Sequence, residues 1–168
     1  MGRSVIIIGA GIAGLAAGCY AQMNGYRSQI FELHDLPGGL CTAWERIYGR
    51  KLYDTEQIQV CDQVLDFLET RYPGIGGDVE VKDVATPLSY ERYTGNWLGS
   101  TCGWLLTKDT MRMMISGVGQ TLPGLANFYQ CGQWVEPGGM VPMAAISGRN
   151  VVQLLCRADG RPFVTSAP

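Results

Sequence analysis

Histidine is nearly missing from this chain: His34 is the one imidazole among 168 residues. A Ser-His-Asp arrangement or a histidine-based metal site would have to be built around that single residue, so hydrolysis and metal-assisted chemistry lack their apparatus. The six cysteines, at positions 19, 41, 61, 102, 131 and 156, include no CxxC pair. Several fall on apolar helix faces or strands, and they read as buried free thiols in a reducing cytosol. Runs of like charge and basic patches interleaved with aromatics are also absent, and the net charge is −2, which leaves nucleic acid without its electrostatic footprint. The longest uncharged apolar stretch, Val5 to Ala21, falls short of the roughly 20 residues that span a bilayer. Its glycines at 9, 11 and 14 suit neither an anchor nor the core of a signal peptide. Met1-Gly2 opens like an acylation motif, but Ile6 stands where that motif needs serine or threonine. These absences point to a protein of the cytoplasm without integral membrane association. With 46% hydrophobic residues the chain can bury one core but hardly two, so one domain is expected over 1–168. The 23 glycines fall at turns rather than in a low-complexity tract.

What is present is organised around those glycines. Ser4 to Ile8 is apolar and largely β-branched, as expected of a strand buried on both faces of a parallel sheet. Ile12, Leu15, Ala16, Cys19 and Met23 then recur at helical spacing, Asn24-Gly25 closes the helix, and Ser28–Leu33 reads as a second strand. The result is a β-α-β unit with GxGxxG at its first turn. In such a unit Gly9 makes the tight turn, Gly11 lets the main chain approach a pyrophosphate, and Gly14 lets the helix pack close to the strand. Ile12 and Ala13, between them, carry amides at the helix N-terminus, where an anion is favoured. Glu32 lies eighteen residues after Gly14, at the end of the second strand beside Leu33. There a carboxylate accepts hydrogen bonds from a ribose 2′-hydroxyl and disfavours a 2′-phosphate. The expected ligand is a dinucleotide other than NADP.

Two further glycine pairs extend the pattern. Pro37-Gly38-Gly39-Leu40 is an ordinary turn after proline or a second bare stretch of backbone for a long cofactor. Near the other end, Leu125–Met140 runs from a short strand through the turn at Gly132-Gln133 to Gly138-Gly139-Met140, and a helix is expected from about Val141 to Cys156. That helix would again aim its N-terminal amides at a polar ligand.

These three blocks, with the C-terminal "CGQWVEPGGMVPMAAISGRNVV", resemble the phytoene desaturase, carotenoid isomerase and retinol saturase branch of the FAD-dependent amine-oxidase-like superfamily. The resemblance covers residues 3 to about 46 and about 55 to 166. It implies a Rossmann-like, glutathione-reductase-type α/β core in which a parallel sheet is flanked by helices. It further implies FAD as cofactor, with Gly9, Gly11 and Gly14 at the pyrophosphate, Glu32 at the adenosine ribose, and Gly38 and Gly39 at the middle of the molecule. Gly132 and Gln133 would meet the ribityl-phosphate region, and Gly138, Gly139, Met140 and Val141 would stand near the flavin ring. Gln133 replaces the acidic residue of many relatives.

The segment between the glycine doublet and the C-terminal motif is much shorter than in that family. The expectation is an internally deleted member, natural or engineered, joined at about 47–54 and lacking the adenine-side strand and most of the substrate domain. Chemistry would then reside in the flavin, with no catalytic side chain assigned and with weak or no turnover of an apolar polyene-like substrate. A functional small oxidoreductase that covers its flavin through a homodimer built on Tyr90–Trp104, and a non-catalytic dinucleotide module, remain alternatives. Removing packing partners exposes interior surface, so a homo-oligomer, a dimer first, is expected.

The middle of the chain adds structure without evident chemistry. Asp54 and Gln57 approximate a capping box before an apolar stripe at Ile58, Cys61, Val64, Leu65 and Leu68. Val79–Val84 alternates like a strand ended by Pro87, Tyr90–Trp97 reads as an aromatic loop, and Met111, Met113, Met114 and Ile115 read as packing.

Overall fold

The computed structural model describes residues 3–41, 55–82, 84–105, 107–136 and 139–166. The chain divides into two compact units, one made of residues 1–42 with 101–168 and the other of residues 43–100.

The first unit begins with the β-α-β pattern. Strand β1 (Ser4–Ile8), helix α1 (Ile12–Met23) and strand β2 (Arg27–Phe31) follow in order, and β1 pairs with β2 in parallel with Ile7 opposite Ile30 and Ile8 opposite Phe31. Helix α1 ends where expected, with the Asn24 amide bonded back to Tyr20 and Ala21 carbonyls. Side chains alternate across the sheet, so Ile7 enters the core with Ala17, Ala21 and Tyr26. Ile6 and Ile8 point the other way and are 67% and 90% exposed. The expected burial of β1 on both faces is therefore not met. The sheet has two strands among the described residues, and only the Ile7 side is covered.

The cover comes partly from the far end of the chain. A C-terminal helix over Val141–Ala158 packs its Val152 and Cys156 into the same core. It lies so close to α1 that a Cβ at Gly148 would overlap the Ala13 carbonyl and reach the Ala17 nitrogen at 2.9 Å. Gly148 lies level with Ala13–Ala17 while Asp159, at the far end, accepts a 2.8 Å bond from Tyr26 just past α1. The two helices consequently run parallel, with their N-termini at the same end of the unit. Arg3 pairs with Asp159, the Arg161 guanidinium lies 5.3 Å from the Tyr26 ring centroid, and burial pushes the Tyr26 hydroxyl above its usual value.

Asn24 ties the tail down. Its side-chain amide donates to the Tyr20 and Val164 carbonyls at 2.8 and 2.9 Å, and its carbonyl accepts from Val164 N–H at 2.7 Å. The residue is buried, so truncation strands polar main-chain groups. Asn24→Ala is expected to cost about 2–3 kcal/mol in urea unfolding, and Asn24→Asp at least as much, because its second carboxylate oxygen would face the Tyr20 and Val164 carbonyls, acceptor against acceptor.

The second unit is helical. Helix α2 (Thr55–Arg71) carries the apolar stripe, though Val64 is 53% exposed. Asp54 of the expected capping box lies outside the described residues, as does the junction at 47–54. Glu69 accepts from Gly74 and Gly76 N–H, the first at 2.5 Å, closing the turn beyond the helix, and these two amides hold its carboxyl below the usual carboxylate range. Residues 79–82 and 84 form no strand. Their alternation finds no neighbour among the described residues to receive a ladder, and Lys82 instead reaches Asp62 of α2 at 3.0 Å. Pro87 does not end a strand but opens helix α3 (Pro87–Thr94), with Thr86 as N-cap and its N–H donating to Ser89 Oγ at 3.2 Å. Tyr90 to Thr94 is thus helical rather than loop.

Back in the first unit, Met111–Ser116 forms a short helix, α4, before the long C-terminal one, which is α5. Met111 and Ile115 are 47% and 84% exposed, so they do not provide the packing expected of that group. The thiols are free, but only Cys156 is buried; Cys61 and Cys131 are half-buried, and Cys19, Cys41 and Cys102 are exposed. Three of the six therefore sit outside any core, contrary to the sequence expectation. No helix among the described residues is long and apolar enough to cross a membrane.

Candidate functional site

The first turn of the unit is shaped by what its glycines permit. Gly9 leaves β1 at φ +99°, a left-handed value that disfavours a side chain, and its N–H donates to the Phe31 carbonyl of β2 at 2.7 Å. A Cβ at Gly14 would overlap the Gly9 carbonyl oxygen and come within 3.3 Å of Ile7. The absence of a side chain there lets α1 start directly beneath the turn. At Gly11, the N-cap of α1, a Cβ would meet nothing within 4 Å. An open space over bare backbone at a helix N-terminus, next to Ile12 and Ala13, is the cradle a phosphate group fits.

Glu32 reaches the same turn from the end of β2. Its Oε2 accepts from Ala10 N–H at 2.6 Å, and its Oε1 from Leu33 and His34 N–H at 2.9 and 3.1 Å. The Ala10 amide first, then that of His34, hold its carboxyl below the ordinary carboxylate range despite an opposing desolvation. A carboxylate offers about four acceptor positions. Three are engaged, and the remaining one on Oε2 suits a ribose hydroxyl. Because the folded pKa is lowered, the unfolded chain binds the extra proton as pH falls, and Glu32 supports the fold in full above its unfolded value and progressively less down to its folded one. In urea titrations the stability difference between native protein and Glu32→Gln should be steady from pH 7 to about 5.5 and shrink as the pH drops through 4.5 towards the lowered folded pKa. A constant difference down to pH 3 would contradict this role.

The glycine doublet sits on the first turn. Gly38 N–H donates to the Ala10 carbonyl at 2.8 Å, Gly38 and Gly11 form a parallel bridge, and a Cβ at Gly39 would lie 3.1 Å from Gly11 Cα. Pro37-Gly38-Gly39 is thus an integral side of the site, and Leu40 follows in a single 3-10 turn with 41% of its surface exposed. Leu33 points into solvent at 92% exposure, so only its amide serves the arrangement.

The C-terminal segment reaches the site through α5. Gly132 N–H donates to Ser147 Oγ at 2.9 Å, and the Ser147 carbonyl accepts from Gln120 at 2.9 Å. Ser147 adjoins Gly148, which packs on Ala13. The turn at Gly132-Gln133 is in this way hung beside the N-terminal half of α1. The expected short strand at Leu125 is reduced to one bridge between Thr121 and Tyr129. Met140 is the N-cap of α5 and Val141 its first residue, both more than half exposed. Gly138 lies outside the described residues. By the helix offset, α5 extends roughly 6 Å past the start of α1 at 1.5 Å per residue.

One part of this arrangement was not read from the sequence. Residues 102–104 lie against Gln133, Trp134 and Gly139: a Cβ at Gly103 would be 2.8 Å from the Gln133 carbonyl oxygen, one at Gly139 would overlap the Cys102 carbonyl, and Trp104 Nε1–H donates to the Trp134 carbonyl at 2.8 Å. The signal available was Cys102-Gly103-Trp104, a glycine beside an aromatic, which matches many surface turns equally well. Burial alone raises the half-buried Cys131 thiol above its usual range, so it offers no reactive thiolate. Among the described residues no group of three or more His, Cys, Asp or Glu side chains is placed to hold a metal ion.

Parallel strands around a glycine turn, a helix N-terminus facing open space and an acidic residue at the next strand end define a Rossmann-like dinucleotide-binding unit. Residues 7–64 match the family model described as the NAD(P)-binding Rossmann-like domain. No curated protein and no solved structure matches the chain.

Proposed function

We propose that the protein is the FAD-binding core of a phytoene desaturase-like flavin oxidoreductase, with little or no turnover of a native substrate. The observation that carries this reading is the seating of Gly38-Gly39 on the Gly9–Gly11 turn. A nicotinamide dinucleotide needs one glycine turn and one acid. A second bare backbone stretch against the first, and a third at Gly132 held to α5 by Ser147, suit a longer ligand that continues past the pyrophosphate.

In this reading Gly9, Gly11, Ile12, Ala13 and Gly14 hold the pyrophosphate, Glu32 and the Leu33 amide region hold the adenosine ribose, and Gly38, Gly39 and Leu40 flank the middle. Gly132, Gln133 and Gly138–Val141 accompany the flavin half. When bound, FAD supplies reversible two-electron chemistry; the chain supplies position and exclusion of water on one side only. The uncovered Ile6, Ile8 and Phe31 favour self-association as part of the same reading.

The test is the absorbance spectrum of the purified protein, with the ligand released and identified by mass. Flavin bands and released FAD are expected, with no conversion of polyenes. A colourless protein that releases NAD, or that takes up neither on incubation, would overturn the reading.

A further inference from the structure

We infer that Trp104 and Trp134 form the wall against which the flavin ring of the bound cofactor lies. The inference rests on the FAD reading and names residues that it does not use. The two indoles meet edge to face with centroids 5.5 Å apart. Trp104 is fixed by its indole N–H on the Trp134 carbonyl, and the backbones carrying both are pressed together where Gly103 meets Gln133 and Gly139 meets Cys102. An edge-to-face pair occupies one face of one ring and leaves aromatic surface free. Trp104 is still 46% exposed, although large aromatics fixed this firmly are ordinarily covered.

Position selects the flavin end over the adenine end. Glu32 approaches the glycine turn from β2, whereas Trp134 stands two residues from Gly132, which is tied to α5. A ligand with its ribose at Glu32 and its phosphates over Gly11 has its other half still to place, and the tryptophans stand at the same end of the unit, where Cys102 meets Gly139 just before α5. Their open faces offer stacking to a flat, apolar ring system, and an indole in contact with an excited flavin donates an electron to it and takes it back, which quenches the emission without net chemistry.

The test uses full-length protein loaded with FAD and freed of excess, together with Trp104→Phe, Trp134→Phe and the double variant, each with its flavin content measured after denaturing release. The native protein is expected to be nearly dark and the double variant several-fold brighter at equal flavin content. Leucine at both positions is expected to weaken FAD binding about two- to tenfold. Equal brightness of native and double variant overturns the inference and leaves the FAD reading standing, whereas a native protein that takes up no flavin overturns both. Should the variants not fold, the excited-state decay of flavin in the native protein decides: a decay far faster than that of free FAD supports the wall, and a decay like that of free FAD overturns it.

Discussion

Gly14→Val is expected to abolish dinucleotide uptake and lower the melting temperature by about 6–12 °C, whereas Gly11→Ala is expected to abolish uptake with little change in melting. The contrast follows from what each added carbon meets. At Gly14 it would overlap the Gly9 carbonyl oxygen and press on Ile7 at 3.3 Å. Gly9 belongs to the β1–α1 connection and Ile7 to β1 itself, so the helix must move off the strand. Overpacking against main chain costs about 3 kcal/mol, and for a chain of this size each kcal/mol is worth about 2–4 °C. At Gly11 the backbone is extended at φ −67°, which any residue adopts, and the added carbon meets nothing. It occupies only the space assigned to phosphate. Thermal melting with and without ligand separates the two effects. A Gly11→Ala protein that still takes up its cofactor would place the phosphates elsewhere.

Glu32→Arg carries the second large effect. The substitution removes the acceptor for the Ala10, Leu33 and His34 amides and, in the proposed reading, puts a cation where a ribose hydroxyl needs an acceptor. Hydrogen bonds to charged groups are worth about 1.5–3 kcal/mol each, so affinity for FAD is expected to fall by about 100-fold or more. Glu32→Gln retains an acceptor oxygen and should lose about tenfold. An arginine at this strand end also favours a 2′-phosphate, so residual binding of NADP relative to NAD should rise. Titration calorimetry with the three ligands reads all of this. Unchanged FAD affinity in Glu32→Arg would remove the ribose contact from the account.

The local part of this architecture was legible because its causes are local. Gly9, Gly11, Gly14, the apolar strand before them and Asn24-Gly25 after the helix constrain one another within a few residues, and β1 and α1 lie where their spacing places them, while β2 runs over Arg27–Phe31 rather than Ser28–Leu33 and leaves Glu32 just past its end. The α5 helix was legible for the same reason. Strand pairing is not local. Val79–Val84 has the right alternation, but a strand exists only when another offers its hydrogen bonds, and none of the described residues does so. The apolar run of β1 likewise says that two faces are fit for burial; whether Ile6 and Ile8 are covered depends on elements far away in sequence. The site shows the same division. Glu32 and the first turn could be paired by counting residues. The bond from Gly132 to Ser147 and the close passage of Gly103 under Gln133 depend on how α5 returns to α1, and no periodicity encodes that. Thr86, Pro87 and Ser89 are a different case: proline ends a strand in many sequences, but with threonine before it and serine two residues on it begins a helix here.

The central claim is that three separated glycine segments close around one elongated cofactor. Hydrogen exchange of the full chain, with and without added FAD, tests it at the backbone itself. The account predicts slowed exchange on FAD addition at residues 9–14, 38–40 and 132–141 together, and at residues 9–14 alone with NAD. Protection confined to 9–14 with FAD, leaving 38–40 and 132–141 unchanged, would contradict it.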